Sequence, residues 1–363
     1  MGKIPVGIVG VGNCASSLLQ GIEFYRGADH EPIGLMHHVL GGYAPGDIEV
    51  VCAFDIDRRK VGATLDVAAL APPNNTRPLC PRLPRSAVVV DMGPPLDGVA
   101  EHLLAYPEER RFVLADQRPV DVADVLRRSG AQVLVSYLPV GSQRATEHYV
   151  QACLEAGVAF VNCIPVFVAS DAHWAAEFER RRIPIVGDDV KSQLGATIVH
   201  RALAQLFADR GVALDRTYQL NVGGNTDFLN MLSHERTTSK RTSKTEAVQS
   251  VLPQPLPTED IHIGPSDYVQ WQGDNKVCFL RMEGRGFGNA PLELELRLSV
   301  QDSPNSAGCV IDAIRCCRVA RDRGVGGPLV SVSSYLMKHP PRQLPDGQAR
   351  DDVERFLRGE LER

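Results

Sequence analysis

The sequence has no run of about 20 apolar residues, the length that a membrane-spanning helix requires. Its first residues also lack the basic segment, long apolar core and cleavage site of a signal peptide, so we expect a cytoplasmic protein. There is no strong excess of one charge. The formal net charge of the 363 residues is -5, which gives no general attraction to nucleic acid or to anionic membranes. We therefore expect no nucleic-acid partner and no membrane partner.

The cysteines and histidines also lack the spacing of known frameworks. Nine cysteines occur without a C-x-x-C pair, and their number is odd. This pattern predicts reduced thiols in a cytosolic protein rather than a set of disulfides. The ten histidines form no array with zinc-ligand spacing, so ordinary core or surface histidines are the preferred interpretation.

A glycine-rich turn follows the first predicted strand, at residues 5–9. Gly10 and Gly12 begin a G-x-G-x-x-A motif that runs directly into a helical pattern. Such glycines allow a tight turn and a close approach to a pyrophosphate, whose charge is met by amide groups at the helix N-terminus. A single match is a weak signal, but a strand before it and a helix after it are the required context. We predict a dinucleotide site here.

An acidic residue, Asp55, ends the second predicted strand. An acid at this point hydrogen-bonds a ribose diol, which favours NAD over the 2′-phosphorylated cofactor. Asp55 lies about forty residues beyond the glycines rather than about twenty, and an insertion over about residues 25–46 accounts for the difference. Arg58 and Arg59 follow closely and keep NADP as an alternative.

Short apolar runs then alternate with helical patterns. The runs are 87–90, 133–137, 159–161 and 183–186, and the helical patterns are 121–128, 144–156 and 173–181. Short buried strands that alternate with helices indicate a parallel, doubly wound sheet. Ligands of such sheets bind beyond the carboxyl ends of the strands, which here are the polar segments 136–142, 162–165 and 187–192.

A long helix is predicted after residue 192, because Leu194, Ile198, Ala202 and Leu206 recur at i+4 steps and Gly211 is a predicted stop. Its N-terminus would hold Asp188, Asp189, Lys191 and Ser192. The acids are compatible with helix caps. Two acids, a lysine and a serine together at a strand end favour a functional site.

The periodicity changes in the second half of the chain. Strand-like runs at 217–222, 260–263 and 277–282 precede a strict alternation of apolar and polar residues over 292–300. This alternation predicts an antiparallel sheet with one solvated or partner-covered face. Helical patterns return at 306–321 and 351–363. Because 363 residues exceed the usual size of one core, we divide the chain into domains at 1–200 and 201–308, with C-terminal helices at 309–363 that pack back on the first domain.

The stretch from 223 to 245 concentrates positive charge. It contains Arg236, Lys240, Arg241 and Lys244 among serines and threonines, which we interpret as short turns that form the floor of an anionic-substrate site. A solvated, charged loop is the alternative. Further lysines, Lys276 and Lys338, lie in separate segments, and the sequence by itself does not show whether they converge.

Seven motifs together carry a resemblance to a known family. They are VGVGNCASSLLQGIE around the glycine turn, SYLPVGS from Ser136, VGDDVKSQLGAT from Val186, NVGGNTDFLNML from Asn221, SKRTSKT from Ser239, IHIGPSDYV from Ile261 and QDSPNSAG from Gln301. These motifs resemble those of the bacterial inositol-3-phosphate synthases, also called myo-inositol-1-phosphate synthases. The resemblance extends over essentially the whole chain.

The resemblance implies a fold and a reaction. The expected fold is α/β, a Rossmann-like doubly wound parallel sheet with an inserted α+β domain that assembles a homotetramer. The expected reaction is an NAD-dependent cyclisation of a hexose phosphate. The carbon 5 hydroxyl of glucose 6-phosphate is oxidised, the carbon 6 enolate attacks the carbon 1 aldehyde, and the ring ketone is reduced by the same cofactor. Two steps build negative charge on oxygen, which fixed ammonium groups would stabilise.

The resemblance also implies roles for residues at matching motif positions. Those similar to the family's active-site groups are Lys240, Lys244, Lys276, Lys338, Asp189, Ser192 and Asp227. Those similar to its dinucleotide contacts are Gly10, Gly12, Asn13, Cys14, Asp55, Ser136, Tyr137, Leu138 and Asp188, together with Asn225 and Asp302 from the second domain. Asp302 alone does not define a metal site, so a divalent or monovalent cation stays unresolved.

The chain departs from the family pattern beside these positions, at Pro73, Thr226, Gln301 and Gly273-Asp274-Asn275. Such drift fits an ordinary synthase or a paralogue with another substrate. The same chemistry applied to fructose 6-phosphate would close a five-membered ring. A catalytically inactive NAD-binding protein is an alternative of another class, against which the retained lysines argue. A simple dehydrogenase, which would release NADH, is a further alternative.

Overall fold

The computed structural model describes residues 2–26, 33–80 and 82–363, and the chain folds around two β-sheets. Residues 27–32 of the predicted insertion lie outside the described residues. The strands in chain order are β1 (Ile4–Val9), β2 (Ile48–Asp55), β3 (Val90–Met92), β4 (Val133–Ser136), β5 (Ala159–Asn162), β6 (Pro184–Val186), β7 (Ala213–Gly223), β8 (Ile261–Tyr268), β9 (Asn275–Arg285), β10 (Pro291–Gln301) and β11 (Gly327–Pro328). The helices are α1 (Asn13–Phe24), α2 (Leu65–Ala68), α3 (Val122–Ser129), α4 (Gln143–Ala156), α5 (Ala172–Arg180), α6 (Ala196–Asp209), α7 (Thr226–Asn230), α8 (Thr238–Gln249), α9 (Asp302–Asp322), α10 (Val330–Leu336) and α11 (Asp346–Arg358).

The larger sheet has seven strands in the order β11-β6-β5-β4-β1-β2-β3, and all of its pairs are parallel. The predicted parallel, doubly wound sheet is therefore confirmed. The chain moves from β1 towards β3 on one side and from β4 towards β6 on the other. The order thus reverses between β1 and β4, which is where such sheets bind ligands.

The smaller sheet has the order β10-β9-β7-β8. Its β10–β9 and β9–β7 pairs are antiparallel, as predicted, but β7 and β8 are parallel. The prediction of a wholly antiparallel sheet was wrong for β8. The reason is the connection, since α7 and α8 lie between these strands and return the chain to the end of the sheet where β7 began.

Helix α6 differs from its prediction in two ways. It begins at Ala196 with Gly195 as N-cap, so the acids of the preceding segment do not cap it. The i+4 series that revealed the helix is also not its buried face, because Leu194 and Leu206 are 57% and 51% exposed while Arg201 is fully buried. Periodicity located the helix, but a buried arginine cannot be anticipated from an apolar pattern.

The cationic stretch is helical rather than a set of turns. Its residues form α7, a short 3₁₀ turn (His234–Thr237) and α8. The predicted turns were wrong because residues 225–245 include no glycine or proline to interrupt a helix. Hydroxyls such as that of Thr242 bond the carbonyl four residues earlier, at 3.1 Å from Thr238. Val248 packs into the core of the smaller sheet and holds the helix there.

The C-terminal helix α11 packs against the larger sheet. Val353 and Phe356 of α11 belong to the apolar cluster that surrounds the parallel strands. Helix α9 continues through residue 308, where the sequence suggested a boundary, so the division into domains stays a prediction. Within the described residues, no helix has the length and apolar character needed to cross a membrane.

An ion-pair triad with two buried cations and a partly exposed carboxylate joins the two parts of the chain. The carboxylate of Asp346, at the start of α11, accepts hydrogen bonds from Lys191 at 2.9 Å and from Arg201 at 2.8 Å. Arg201 also donates to the backbone carbonyls of Ala247 and Leu344. The triad therefore fixes the segment after β6, α6, α8 and α11 relative to one another.

We expect Asp346→Ala to lower the free energy of unfolding by about 3 kcal/mol, because it leaves two buried cations without their carboxylate. This loss of stability should be near the low end of the range for removing one partner of a buried ion pair, because both cations keep hydrogen bonds to carbonyl oxygens. Urea titration would measure it. The control is Glu360→Ala, which removes an exposed pair with Arg358 and should change stability little. Equal stability of the two variants would contradict this role of Asp346.

Candidate active site

A single cleft holds most of the residues singled out from the sequence. It lies between the carboxyl ends of the parallel strands and the smaller sheet, with an empty volume of about 1550 Å³ including its open mouth. The predicted site residues that line it are Gly10, Gly12, Asn13, Cys14, Asp55, Tyr137, Leu138, Asp189, Ser192, Asn225, Asp227, Lys240, Lys244, Lys276, Asp302 and Lys338. The four lysines, which come from three separate segments, thus converge in one place.

The glycine-rich turn has the geometry that a pyrophosphate requires. Gly10 has φ +85°, and a side chain there would come within 2.6 Å of the Tyr137 carbonyl oxygen, so only glycine fits. A Cβ atom at Gly12, just before α1, would meet only open space. The carboxylate of Asp55 accepts a hydrogen bond from the Val11 amide at 2.7 Å and so fixes the turn.

Arg58 and Arg59, which left NADP as an alternative cofactor, both form ion pairs with carboxylates. Arg59 donates to both oxygens of Asp57, at 2.8 and 2.5 Å, and Arg58 donates to Glu108 at 2.6 Å. Neither arginine is among the residues that line the cleft. A 2′-phosphate would have to compete with these ion pairs, which favours the unphosphorylated cofactor.

Two residues expected to contact the cofactor, Ser136 and Asp188, do not line the cleft. Both are fully buried. Asp188 accepts hydrogen bonds from the Asn162 side chain at 2.7 Å and from the Ser170 hydroxyl at 2.8 Å, and backbone amides fill its remaining acceptor positions. Its carboxylate therefore anchors the segment that presents Asp189 and has no capacity left for a ligand.

Asp189 is the centre of the lysine cluster. It is fully buried and has φ +62°, a strained conformation for a residue other than glycine. One carboxylate oxygen accepts hydrogen bonds from Lys240 at 3.1 Å and Lys338 at 3.0 Å, and the other accepts from the Ser243 hydroxyl. Burial by itself raises the pKa of Asp189, but the two ammonium groups outweigh it and hold the pKa well below its usual range.

The lysines differ in how their charges are compensated. Burial lowers the pKa of Lys240, but Asp189 overcomes this and the net pKa is raised. Burial lowers the pKa of Lys338 to about 8, and the positive charges of Lys240 and Lys276 act in the same direction. Asp189 acts in the opposite direction but does not outweigh them. Burial and the neighbouring ammonium groups place the pKa of Lys244 well below its ordinary value. Within the described residues, no carboxylate forms an ion pair with Lys244.

Two further acids complete this group. Asp302, at the start of α9, accepts a hydrogen bond from Lys276 at 3.0 Å, and the Lys276 ammonium lies 5.9 Å from the centre of the Phe228 ring. Burial raises the pKa of Asp302, but Lys276 reverses that shift and the net pKa is lowered. Burial raises the pKa of Asp227, which has no hydrogen-bonded lysine in the described residues.

Asp274 was not predicted from the sequence as a site residue. One of its carboxylate oxygens accepts hydrogen bonds from the side chains of Asn13, Asn225 and Ser303, at 3.0, 3.0 and 2.8 Å. It is nearly fully buried and stands two residues before Lys276. Asp274 therefore connects the glycine-rich turn to the strand that presents a cluster lysine. Its position beside Lys276 in the GDNK segment was the available signal.

A small recess beside the lysines was also missed. It is lined by Ser192, the first turn of α6, Gln219, Asn221, Lys244, Lys276 and Lys338. The first amide groups of a helix have no intrahelical partner and carry partial positive charge, so this recess has the features of a phosphate site. The recess was not predicted because the start of α6 was placed after residue 192 rather than at Ala196. Gly195, a residue type found at helix N-caps, was the overlooked signal.

Arg236 and Arg241 were expected to join the cationic floor, but neither lines the cleft. Within the described residues, no group of three or more histidine, cysteine, aspartate or glutamate side chains is arranged to hold a metal ion. The arrangement thus combines a glycine-rich turn, a buried ammonium cluster and a small recess at a helix N-terminus. Such a cluster can hold a phosphate and stabilise negative charge that develops on oxygen.

Comparisons with known proteins agree with this arrangement. The family model described as myo-inositol-1-phosphate synthase matches residues 195–303. The chain is 54% identical over 359 residues to inositol-3-phosphate synthase of Mycobacterium tuberculosis, covering 98% of this chain and 96% of the relative. It is also 54% identical over 361 residues to inositol-3-phosphate synthase of Corynebacterium glutamicum, covering 98% of each. Among solved structures, that of Ari2 has a TM-score of 0.79 and 36% identity, and the match covers 99% of this chain and 100% of that chain.

We expect the binding of inorganic phosphate near pH 8 to be accompanied by proton uptake. The pKa of Lys338 is about 8 and that of Lys244 is lowered, so part of this pair is neutral at that pH. A bound dianion raises both pKa values, so protons are taken up and binding weakens as the pH rises above 8. Calorimetry in buffers of different ionisation enthalpy measures the uptake.

Lys244→Met should reduce this proton uptake, whereas Lys3→Met, at an exposed position that is not among the residues lining the cleft, should leave it unchanged. Phosphate binding by the unaltered protein at pH 8 without any proton uptake would contradict the shifted lysine pKa values.

Proposed function

Because the chain belongs to the inositol-3-phosphate synthase family, we propose that it cyclises glucose 6-phosphate to 1L-myo-inositol 1-phosphate with NAD as its cofactor. The observation that carries this proposal is the convergence of Lys240, Lys244, Lys276 and Lys338 in a cleft that also contains a glycine-rich dinucleotide turn. A reaction that is redox-neutral overall, yet builds charge on oxygen twice, needs both features in one site.

The residues of the glycine-rich turn fit NAD. The open space at Gly12 and the amide groups at the start of α1 suit a pyrophosphate. The Asp55 carboxylate accepts from the amides of Val11, Ile56 and Asp57, which leaves one of its about four lone-pair positions for a ribose hydroxyl. When bound, NAD would supply a reversible acceptor for the hydride that leaves carbon 5 when its hydroxyl is oxidised to a ketone. Asn13 and Asn225, held by Asp274, would border the cofactor from both sides of the cleft.

The lysines hold the phosphate and the developing charges. The recess at the start of α6, with Lys244 and Lys276 beside it, would hold the substrate phosphate through helix amides and ammonium groups. Oxidation at carbon 5 makes the carbon 6 hydrogens acidic, so that a proton can leave and an enolate can form. Lys240, which stays charged beside Asp189, would stabilise an enolate oxygen. Lys338, with a pKa of about 8, is able to exchange a proton near neutral pH.

Ring closure would take place beside the same lysines. The carbon 6 enolate attacks the carbon 1 aldehyde, and the new alkoxide takes up a proton before the ring ketone is reduced. Ser192 and Asp227 line the cleft near these lysines and complete the polar surroundings of the substrate. Because the ammonium groups are already fixed by Asp189 and Asp302, little reorganisation is needed when charge develops.

The direct test is incubation of the pure protein with NAD and either glucose 6-phosphate or fructose 6-phosphate, followed by separation of the products. We expect inositol phosphate from glucose 6-phosphate, with no net absorbance of NADH, and no turnover of fructose 6-phosphate. A five-membered carbocycle from fructose 6-phosphate would instead identify a substrate-shifted paralogue. Stoichiometric NADH would indicate a dehydrogenase, and no product from either sugar would indicate an inactive NAD-binding protein.

We also propose that the protein is a homotetramer. The support is apolar surface that the single chain leaves exposed, at Leu206 on α6 and at Phe287, whose side chain is fully exposed. Strand β10 is an edge of the smaller sheet and is available for pairing or covering by another copy. Such surface is typical of an assembly interface.

Light scattering should give a mass near four times the 39.6 kDa of the chain. Leu206→Asp should lower that mass by placing charge in the interface. The matched control is Leu104→Asp, because Leu104 is an exposed leucine on a different part of the chain. A monomeric unaltered protein would contradict the proposal.

All nine cysteines are free thiols in the structure. Seven of them are buried. This supports the proposal that the protein acts in a reducing compartment such as the cytoplasm.

A further inference from the structure

Arg236 belongs to the cationic stretch but does not take part in the lysine cluster. Its Nε donates to the Val140 carbonyl oxygen at 3.0 Å, and both terminal nitrogens donate to the Asp97 carbonyl oxygen at 3.0 Å. One terminal nitrogen also lies 3.4 Å from the Ser142 hydroxyl. The guanidinium group is therefore bound by backbone oxygens of two loops that are distant in sequence.

The first of these loops follows β4 and borders the cleft through Leu138, Pro139 and Val140. The Val140 carbonyl oxygen accepts a second hydrogen bond from the cationic stretch, from the Asn230 side chain at 3.0 Å. Gly141 has φ +86°, and a Cβ there would come within 2.8 Å of the Arg236 Cβ. The loop thus needs glycine at this position both for its backbone conformation and for close packing against the arginine.

The second loop follows β3 and borders the cleft through Pro94, Pro95 and Gly98. Its Asp97 carboxylate accepts hydrogen bonds from the amides of Arg144 and Ala145 at the start of α4, at 2.8 and 2.9 Å. The carbonyl of Asp97 is therefore held in a fixed place when Arg236 binds it. Both loops lie on the side of the cleft formed by the parallel sheet.

We propose that Arg236 is a positioning residue that fixes the two cofactor-side loops relative to helix α8. Helix α8 begins two residues after Arg236 and presents Lys240 and Lys244. The inference rests on the proposed function, because it assigns one side of this contact to NAD and the other to the sugar phosphate. Arginine suits the task because its planar group donates in several directions at once, whereas a lysine ammonium is a compact point charge.

The proposal predicts how Arg236→Met should behave. The methionine retains much of the apolar stem but loses every donor, so the lysines lose their fixed distance from the cofactor. We expect kcat to fall by about 100-fold, the scale of a displacement of about 1 Å in an active site. The Kd for NAD alone should change little, because each loop keeps an anchor of its own: Asp97 on the amides of α4, and Val140 on the Asn230 side chain. Arg236→Lys should recover part of kcat.

A binding measurement tests the same contact without turnover. Glucitol 6-phosphate lacks an aldehyde and cannot close a ring, so it serves as the probe. Its Kd is measured by calorimetry with and without saturating NADH, which cannot accept a hydride from carbon 5, and the ratio of the two values is the coupling between the ligands. We expect a ratio of about 5 or more for the unaltered protein and a ratio near 1 for Arg236→Met.

Two further variants separate positioning from stability. Gly141→Ala disturbs the same contact from the loop side and should also lower kcat and the coupling ratio. Arg323→Met is the matched control, because Arg323 donates to two carbonyls, of Phe356 and Leu357, away from the cleft. It should leave both quantities unchanged even if the melting temperature falls. If Arg236→Met does not fold, Arg236→Lys and Gly141→Ala serve as the test.

An unchanged kcat or an unchanged coupling ratio in the Arg236 and Gly141 variants would overturn the positioning role. So would an equal effect in Arg323→Met. The proposed function fails separately, if the unaltered protein forms no inositol phosphate from glucose 6-phosphate. In that case the coupling ratio still tests whether Arg236 connects the two binding sites.

Discussion

The buried carboxylate of Asp189 is the interaction on which the candidate site depends. An ammonium group removed from water is costly unless a partner compensates its charge, and Asp189 compensates two, those of Lys240 and Lys338. It also binds Ser243, which places α8 against the segment after β6. Without this carboxylate, Lys240 of α8 and Lys338, which follows α10, would repel each other.

The remaining charges explain why the cleft favours an anion. Asp302 compensates Lys276, while Lys244 has no carboxylate partner within the described residues. The cluster is therefore short of negative charge next to the first turn of α6, where helix amides add further positive potential. A dianionic phosphate would supply the negative charge that the protein does not place beside Lys244. In the free protein this lack of negative charge disfavours the charged form of Lys244, which is why its pKa is lowered.

Much of the fold was readable from the sequence, because its signals are local. The short apolar runs predicted the parallel sheet, which is confirmed, and the glycines at 10 and 12 with the acid at 55 predicted a dinucleotide site at its edge. The alternation over 292–300 identified β10. The errors came from features that depend on distant contacts. The i+4 series in α6 is an exposed stripe since Arg201 is buried by partners in α8 and α11. Strand β8 is parallel to β7 because α7 and α8, which connect the two strands, return the chain to the end of the sheet where β7 began.

The candidate site divides in the same way. The sequence by itself determined which residue types are present: ammonium groups, carboxylates and a turn that admits a pyrophosphate. Only the tertiary structure decided which of them meet. It brought lysines from three segments onto Asp189 and Asp302, turned Asp188 and Ser136 away from the cleft, and used Arg236 to hold backbone loops. The physical reason is that a buried charge is stable only beside its partners, and those partners lie far apart in the chain.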